Sequence, residues 1–175
     1  MNKDRLLTIT ALILGAAATR LLPHPNNVTP ITALAVFGGM CCRQRWAAFA
    51  LPLGAMLLSD CLIGFHALMP VVYGSFAVVV ALAASQKQRH TPMRVALTTA
   101  SGSVLFYLTT NFAMWTISEV YPRTAAGLFN CYVMGLPYLR NGLLGDLAYS
   151  GVLFGMFALL VHRYPQLRDT APATA

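Results

Sequence analysis

Apolar residues fill six long stretches of this chain, and short segments rich in proline, arginine or asparagine separate them. A membrane-crossing helix needs about 20 mostly apolar residues, and fewer where its ends are buried in protein. On that basis we read helices over residues 5–22, 30–42, 46–63, 68–85, 93–115 and 141–162. The stretch 125–139 is also apolar. It is either a seventh span or a segment packed on the surface. Residues 165–175 are polar, contain two prolines and predict a tail without stable structure.

Composition places these helices in lipid. The 175 residues are 57% hydrophobic and only 10% charged, against about 25% charged in ordinary soluble domains. So few charges cannot cover a water-exposed surface. The expected fold is therefore an all-α integral membrane protein, a bundle of six transmembrane helices forming one domain over residues 1–164. The N-terminus also imitates a signal peptide, with Lys3, Asp4 and Arg5 before an apolar run that ends at Ala16-Ala17-Ala18. The apolar run continues through Leu21 and Leu22, which favours a retained first helix.

Charge gives the orientation. The net charge of +7 lies in ones and twos between apolar runs, with no basic patch interleaved with aromatics, so nucleic acid is not an expected partner. With both termini inside, nine of the 12 Lys and Arg residues fall on the cytoplasmic side: Lys3, Arg5, Arg43, Arg45, Lys87, Arg89, Arg94, Arg163 and Arg168. Arg20, Arg123 and Arg140 fall outside. A seven-span layout lowers the ratio to eight against four, so the positive-inside rule favours six spans with both ends in the cytoplasm of a bacterial-type inner membrane.

This topology gathers the uncommon polar residues at the outer end. The first outer loop holds His24, Asn26 and Asn27 between prolines. Asp60 closes the third helix, and Phe65 and His66 follow it. Tyr107, Asn111 and Trp115 step by four along one face of the fifth helix. Arg140, Asn141 and Asp146 sit at the start of the sixth, and Tyr73 lies in the fourth. Ionisable groups at membrane depth usually face a bundle interior or a wet cavity. The expected substrate-binding set is His24, Asn26, Asn27, Asp60, Phe65, His66, Tyr73, Asn111, Trp115, Arg140 and Asp146. Each has a structural alternative: Asp60 as partner of Arg20 or Arg140, Asn111 as a link between helices, Trp115 and Tyr138 as an interfacial belt, and Asp146 as a cap or packing residue.

The second helix is short. Thr29 is expected as its N-cap and Pro30 as its first residue. Its 13 residues (30 to 42) span roughly 20 Å of a hydrocarbon layer about 30 Å thick. Its N-terminus, with free N–H groups, is thus expected at membrane depth beside the cavity. Along the first helix Ala11, Gly15 and Thr19 form a small-residue stripe, suited to internal packing or to docking another membrane subunit. The four cysteines lack the paired spacing of a zinc site, and no metal or cofactor site is expected.

These residues carry a family likeness. Pro23-His24-Pro25-Asn26, Thr29-Pro30, Phe37-Gly38-Gly39, Leu51-Pro52, Ser59-Asp60 and Gly64-Phe65-His66 resemble an uncharacterised family of small bacterial membrane proteins classed with transporters. Thr110-Asn111-Phe112, Trp115, Tyr121-Pro122, Gly127-Leu128, Pro137 and Gly145-Asp146 extend the likeness over roughly residues 20–160. That family is in turn similar to the S components of energy-coupling factor (ECF) vitamin transporters. The resemblance implies a six-helix fold with a ligand site toward the outside, and uptake of a vitamin-sized molecule. It also implies that Ala11, Gly15 and Thr19 contact an ECF transmembrane coupling subunit, Thr19 departing from the alanine-like residue expected there. No GxxxxGK[ST] motif occurs, so ATPases would be separate chains. Relatives that take up cobalamin ligate cobalt through a cysteine, for which Cys61 is the nearest candidate here.

The leading expectation is a substrate-binding membrane transport protein and not an enzyme. One alternative is a non-transporting membrane partner or assembly protein that docks through the first helix. The other is a membrane redox enzyme holding haem between His24 and His66. Both histidines lie in loops, whereas haem-binding bundles take ligands from facing helices, and no HExxH motif is present.

Overall fold

The computed structural model describes residues 1–87 and 91–168. Among them the chain is all-helical, with six α-helices, two short 3-10 turns and no strand. α1 (Lys3–Ala18) opens on Asn2, whose side chain accepts from the Arg5 N–H, and it tightens into a 3-10 turn at Thr19–Leu21. α2 covers Ile31–Cys41, α3 Arg45–Ile63 and α4 Met69–Ala84. α5 (Pro92–Ile117) is capped by the Thr91 side chain, and α6 (Ala125–Arg163) by that of Thr124. The first five helices occupy their expected places. Arg89, counted above among the inner cations, lies outside the described residues.

The sixth helix differs. The expected span 141–162 and the separate apolar stretch 125–139 are one continuous helix of 39 residues. At about 1.5 Å per residue this is roughly twice the thickness of a hydrocarbon layer. The pair Arg140-Asn141, read as a boundary, lies inside the helix. Polarity there serves a tertiary contact instead, since Asn141 Nδ2 donates to the carbonyl of Asn26 at 3.1 Å.

α2 is the centre of the molecule. Ten of its 11 residues are buried, and it touches all five other helices. Small residues allow this. A Cβ on Gly38 would lie 2.9 Å from the Pro52 ring of α3, and one on Gly39 would lie 2.6 Å from the Ala83 Cβ of α4. Phe37 fills the remaining side, meeting Phe154 and Phe157 of α6 edge-on at 5.2 and 5.6 Å, a geometry that aromatic quadrupoles favour.

Large apolar side chains also cover much of the outside. Leu58, Leu62, Leu97, Phe129 and Leu159 are each more than half exposed. α3 and α6 are long and apolar enough to cross a membrane, and α2 and α4 are shorter apolar helices.

Residues 165–168 are not the loose tail that their polarity predicts. A 3-10 turn at Pro165–Leu167 buries Leu167 against the rest of the protein. Arg5 Nη1 donates to the Leu167 carbonyl at 2.8 Å, and Asn2 Nδ2 donates to that of Gln166. A single apolar side chain and two N-terminal donors supply the anchorage. The rest of the expected tail, 169–175, lies outside the described residues.

Candidate functional site

The pairing of α5 with α6 creates a cavity. Near their connection the Cys131 thiol lies 3.4 Å from the Asn111 carbonyl. Deeper in the bundle Ser103 Oγ donates to Asp146 at 2.8 Å, and the hydroxyls of Thr99 and Ser150 lie 2.9 Å apart. From Ser103 to Thr99 the two helices keep step, four residues each. Between the outer and inner contacts α5 advances eight residues (111 to 103) while α6 advances fifteen (131 to 146). The excess falls on the stretch containing Pro137, where the helix lacks one backbone donor. There α6 parts from α5.

A cavity of about 460 Å³ occupies the gap. α5 contributes Ser103, Phe106, Tyr107, Thr110, Asn111 and Met114, and α6 contributes Tyr138, Leu139, Gly142, Leu143 and Asp146. The segment before α2 adds Asn27 and Thr29, and α2 itself adds Ile31 and Thr32. Arg20, Asp60, His66, Leu68, Val72 and Phe76 complete the wall.

Two carboxylates organise this wall. Asp60 is buried, with Arg20 Nη2 at 2.7 Å from one oxygen and the Tyr73 hydroxyl donating to the other at 2.7 Å. Arg20 also donates to the Ser59 hydroxyl. Its Nε is buried and has no hydrogen-bond partner. Asp146 accepts from Ser103 Oγ, and its carboxylate faces the start of α2 at Thr32 and Ala33. A negative charge there meets the positive end of the helix dipole from a distant part of the chain. The expected cap at Thr29 is not made. Pro30 occupies the N-cap position, and no side chain of the loop bonds to the helix start.

The connection before α2 is fastened to the parting stretch of α6. Asn27 adopts a left-handed conformation (φ 66°), which asparagine tolerates better than most residues. Its Nδ2 donates to the Tyr138 carbonyl at 2.9 Å. Gly142 leaves room for it, because a Cβ there would lie 2.9 Å from that nitrogen.

Of the expected substrate-binding residues, Asn27, Asp60, His66, Asn111 and Asp146 line the cavity. Tyr73 acts behind Asp60. Asn111 Nδ2 donates to the Tyr107 carbonyl one turn earlier. His24, Asn26, Phe65 and Arg140 are exposed and away from the wall. Trp115 is also off the wall: its Nε1 donates to the Pro122 carbonyl at 3.0 Å, and the Arg123 guanidinium stacks over its ring. Cys61 is exposed and absent from the wall. On α1, Ala11 and Gly15 are exposed, while the Thr19 hydroxyl bonds to the Ala16 carbonyl and to the Tyr149 hydroxyl.

Sequence reasoning missed Ser103, Thr110, Phe106, Thr32 and, on α6, Tyr138, Leu139, Gly142 and Leu143. A signal existed for the first two. Ser103, Tyr107, Thr110, Asn111 and Met114 follow helical spacing, so the polar face found at Tyr107 and Asn111 continues inward. At 3.6 residues per turn it passes through Met114 instead of Trp115.

No curated protein and no solved structure matches this chain. Residues 1–167 match a family of unknown function, DUF6580, and the chain belongs to that family.

Proposed function

We propose that this protein is a multi-pass inner-membrane protein that binds a small solute in the cavity between α5, α6 and the start of α2, as the binding subunit of an uptake system. Membrane insertion is supported by the apolar exterior, since soluble monomers rarely expose apolar patches beyond a few hundred Å². The sequence's charge distribution orients it with both termini in the cytoplasm. The cavity then opens toward the outer side.

The observation that carries the binding role is the state of the polar groups on the wall. The carboxylates of Asp60 and Asp146 are engaged in structure, whereas the exposed His66 ring makes no hydrogen bond among the described residues. His66 would meet a polar group of a ligand, while Phe76, Phe106 and Val72 would cover an apolar body. The volume falls within the range of small-molecule sites. Because Arg20 is already paired with Asp60 and Asp146 adds a second carboxyl group, the wall offers no surplus positive charge and does not suit an anion. A corrinoid would find no thiolate on this wall.

Exposed Ala11 and Gly15 leave part of α1 open to close helix approach. This favours a coupling subunit docking there, with energy supplied by separate ATPases in the manner of ECF systems.

Mass spectrometry of small molecules released from gently purified protein tests the reading. His66→Ala and Met114→Trp alter the wall without touching either engaged carboxylate. A stoichiometric solute in wild type, reduced at least tenfold in both variants, is the expected result. A solute that persists unchanged in both would place it elsewhere and overturn the assignment.

A further inference from the structure

A second cavity lies at the other end of the bundle, between the first turns of α5 and the last turns of α6. It encloses about 650 Å³ and is walled by apolar side chains, with Arg5 and Arg168 as its charged residues. Arg5 is only 7% exposed. Its Nη atoms donate to the carbonyls of Leu167 and Cys41, and its guanidinium stacks over Phe157 at 4.9 Å. Nε is buried without a partner, and among the described residues no carboxylate pairs with it. A buried cation without a counter-charge is costly.

The groove beside it is open. Gly151 and Gly155 of α6 line it, and a Cβ added to either would meet nothing within 4 Å. Val95 of α5 stands on the same wall. Two cations thus stand at one end of an apolar, accessible groove that the side chains of the described residues do not fill.

We propose that this groove holds an anionic phospholipid, with the headgroup phosphate on Arg5 and Arg168 and an acyl chain along Gly151 and Gly155. The proposal rests on the membrane reading above but concerns a different site. An anionic lipid meets both requirements at once, charge for the arginines and hydrocarbon for the groove. A free anion would leave the groove unfilled. A second copy packed on the same glycines would bring like charges together and supply no anion.

The test is native mass spectrometry from a neutral detergent, with phosphatidylglycerol and phosphatidylcholine of identical chains added in turn. Wild type is expected to retain one phosphatidylglycerol at least tenfold better than phosphatidylcholine, without competition from inorganic phosphate. Gly155→Leu fills open space, and Arg168→Gln alters an exposed side chain, so both variants fold. Gly155→Leu should abolish retention, and Arg168→Gln should erase the preference between the two lipids. Equal retention of both lipids by wild type, unchanged retention in Gly155→Leu, or displacement by phosphate would each overturn the proposal. So would a dimer broken by Gly155→Leu without bound lipid, which would assign the groove to a second copy. His66→Ala should leave the lipid in place, and Gly155→Leu should leave the outer solute in place, so either site can fail alone.

Discussion

Ser103 of α5 donates a hydrogen bond at 2.8 Å to Asp146, which lies in the middle of the last helix and faces the start of the second at Thr32. One carboxylate therefore joins α5 to α6 beside the N-terminus of the central helix. Replacing Asp146 by Ala strands the buried Ser103 hydroxyl and removes a charge from that helix end. An unsatisfied buried group costs about 1–3 kcal/mol, and a charge at a helix terminus contributes about 0.3–2 kcal/mol. We expect Asp146→Ala to destabilise the protein by about 2–4 kcal/mol, and Asp146→Asn by about half as much because one acceptor oxygen survives. Unfolding in detergent measures both. Full stability of the Ala variant would mean that these contacts contribute nothing.

The Arg20–Asp60 pair has side chains only 10% and 7% exposed. Removing one partner leaves a buried charge, at about 3–5 kcal/mol, whereas replacing both with apolar residues is often near neutral. Asp60→Ala should therefore destabilise strongly, and the double variant Arg20→Met with Asp60→Leu should recover most of the loss. If Asp60→Ala instead kept full stability and only lost bound solute, Asp60 would be a ligand residue and its pairing incidental.

Those two carboxylates show what the sequence disclosed and what it withheld. Apolar runs and their polar punctuation located α1 to α5, because these elements are set by local hydrophobic length. The rare polar residues cluster at the end of the molecule that holds the α5–α6 cavity, and five of the eleven chosen residues line it. Roles were less legible. The pairing of Asp60 with Arg20 was one of the alternatives open in the sequence, and it is the one found. The position of Asp146 beside Thr32, 114 residues away (146 to 32), is reported by no local pattern. Continuity of α6 through Pro137 and Arg140-Asn141 was hidden for a related reason: a proline and a polar pair end most helices, and here tertiary contacts hold them inside one.

Glycine packing gives a sharp contrast. A Cβ on Gly39 would lie 2.8 Å from the Val80 carbonyl oxygen, a backbone atom that cannot swing aside, whereas one on Gly54 meets nothing within 4 Å. Overpacking costs about 1–3 kcal/mol, and Ala in place of Gly in a helix contributes about 1 kcal/mol of propensity. Gly39→Ala should lower the unfolding midpoint, and Gly54→Ala should hold or raise it. Equal effects would mean that α2 and α4 are not in close contact.

Pro137 lies within the stretch where α6 parts from α5, and it leaves the Val133 carbonyl without its helical donor. Pro137→Ala restores that donor and removes a constraint on the local path. We expect a more stable protein that binds its solute less well, the usual exchange when a functional irregularity is regularised. Thermal unfolding and quantitation of released solute read the two effects separately. A variant with unchanged binding would show that the gap between the helices owes nothing to the proline.

The native cysteines provide a direct test of orientation. Cys61 is exposed near the end of α3, whereas Cys41, Cys42 and Cys131 are buried. Thiol reagents need an accessible sulfur, so labelling reports on one position without any engineering. With both termini inside, Cys61 lies at the outer face. A membrane-impermeant maleimide should label it in intact cells with an opened outer membrane, and Cys61→Ser should abolish the signal. Labelling that appears only in inverted vesicles would turn the molecule over. The solute cavity would then face the cytoplasm and the groove beside Arg5 the outside, and uptake through the first site could no longer be maintained.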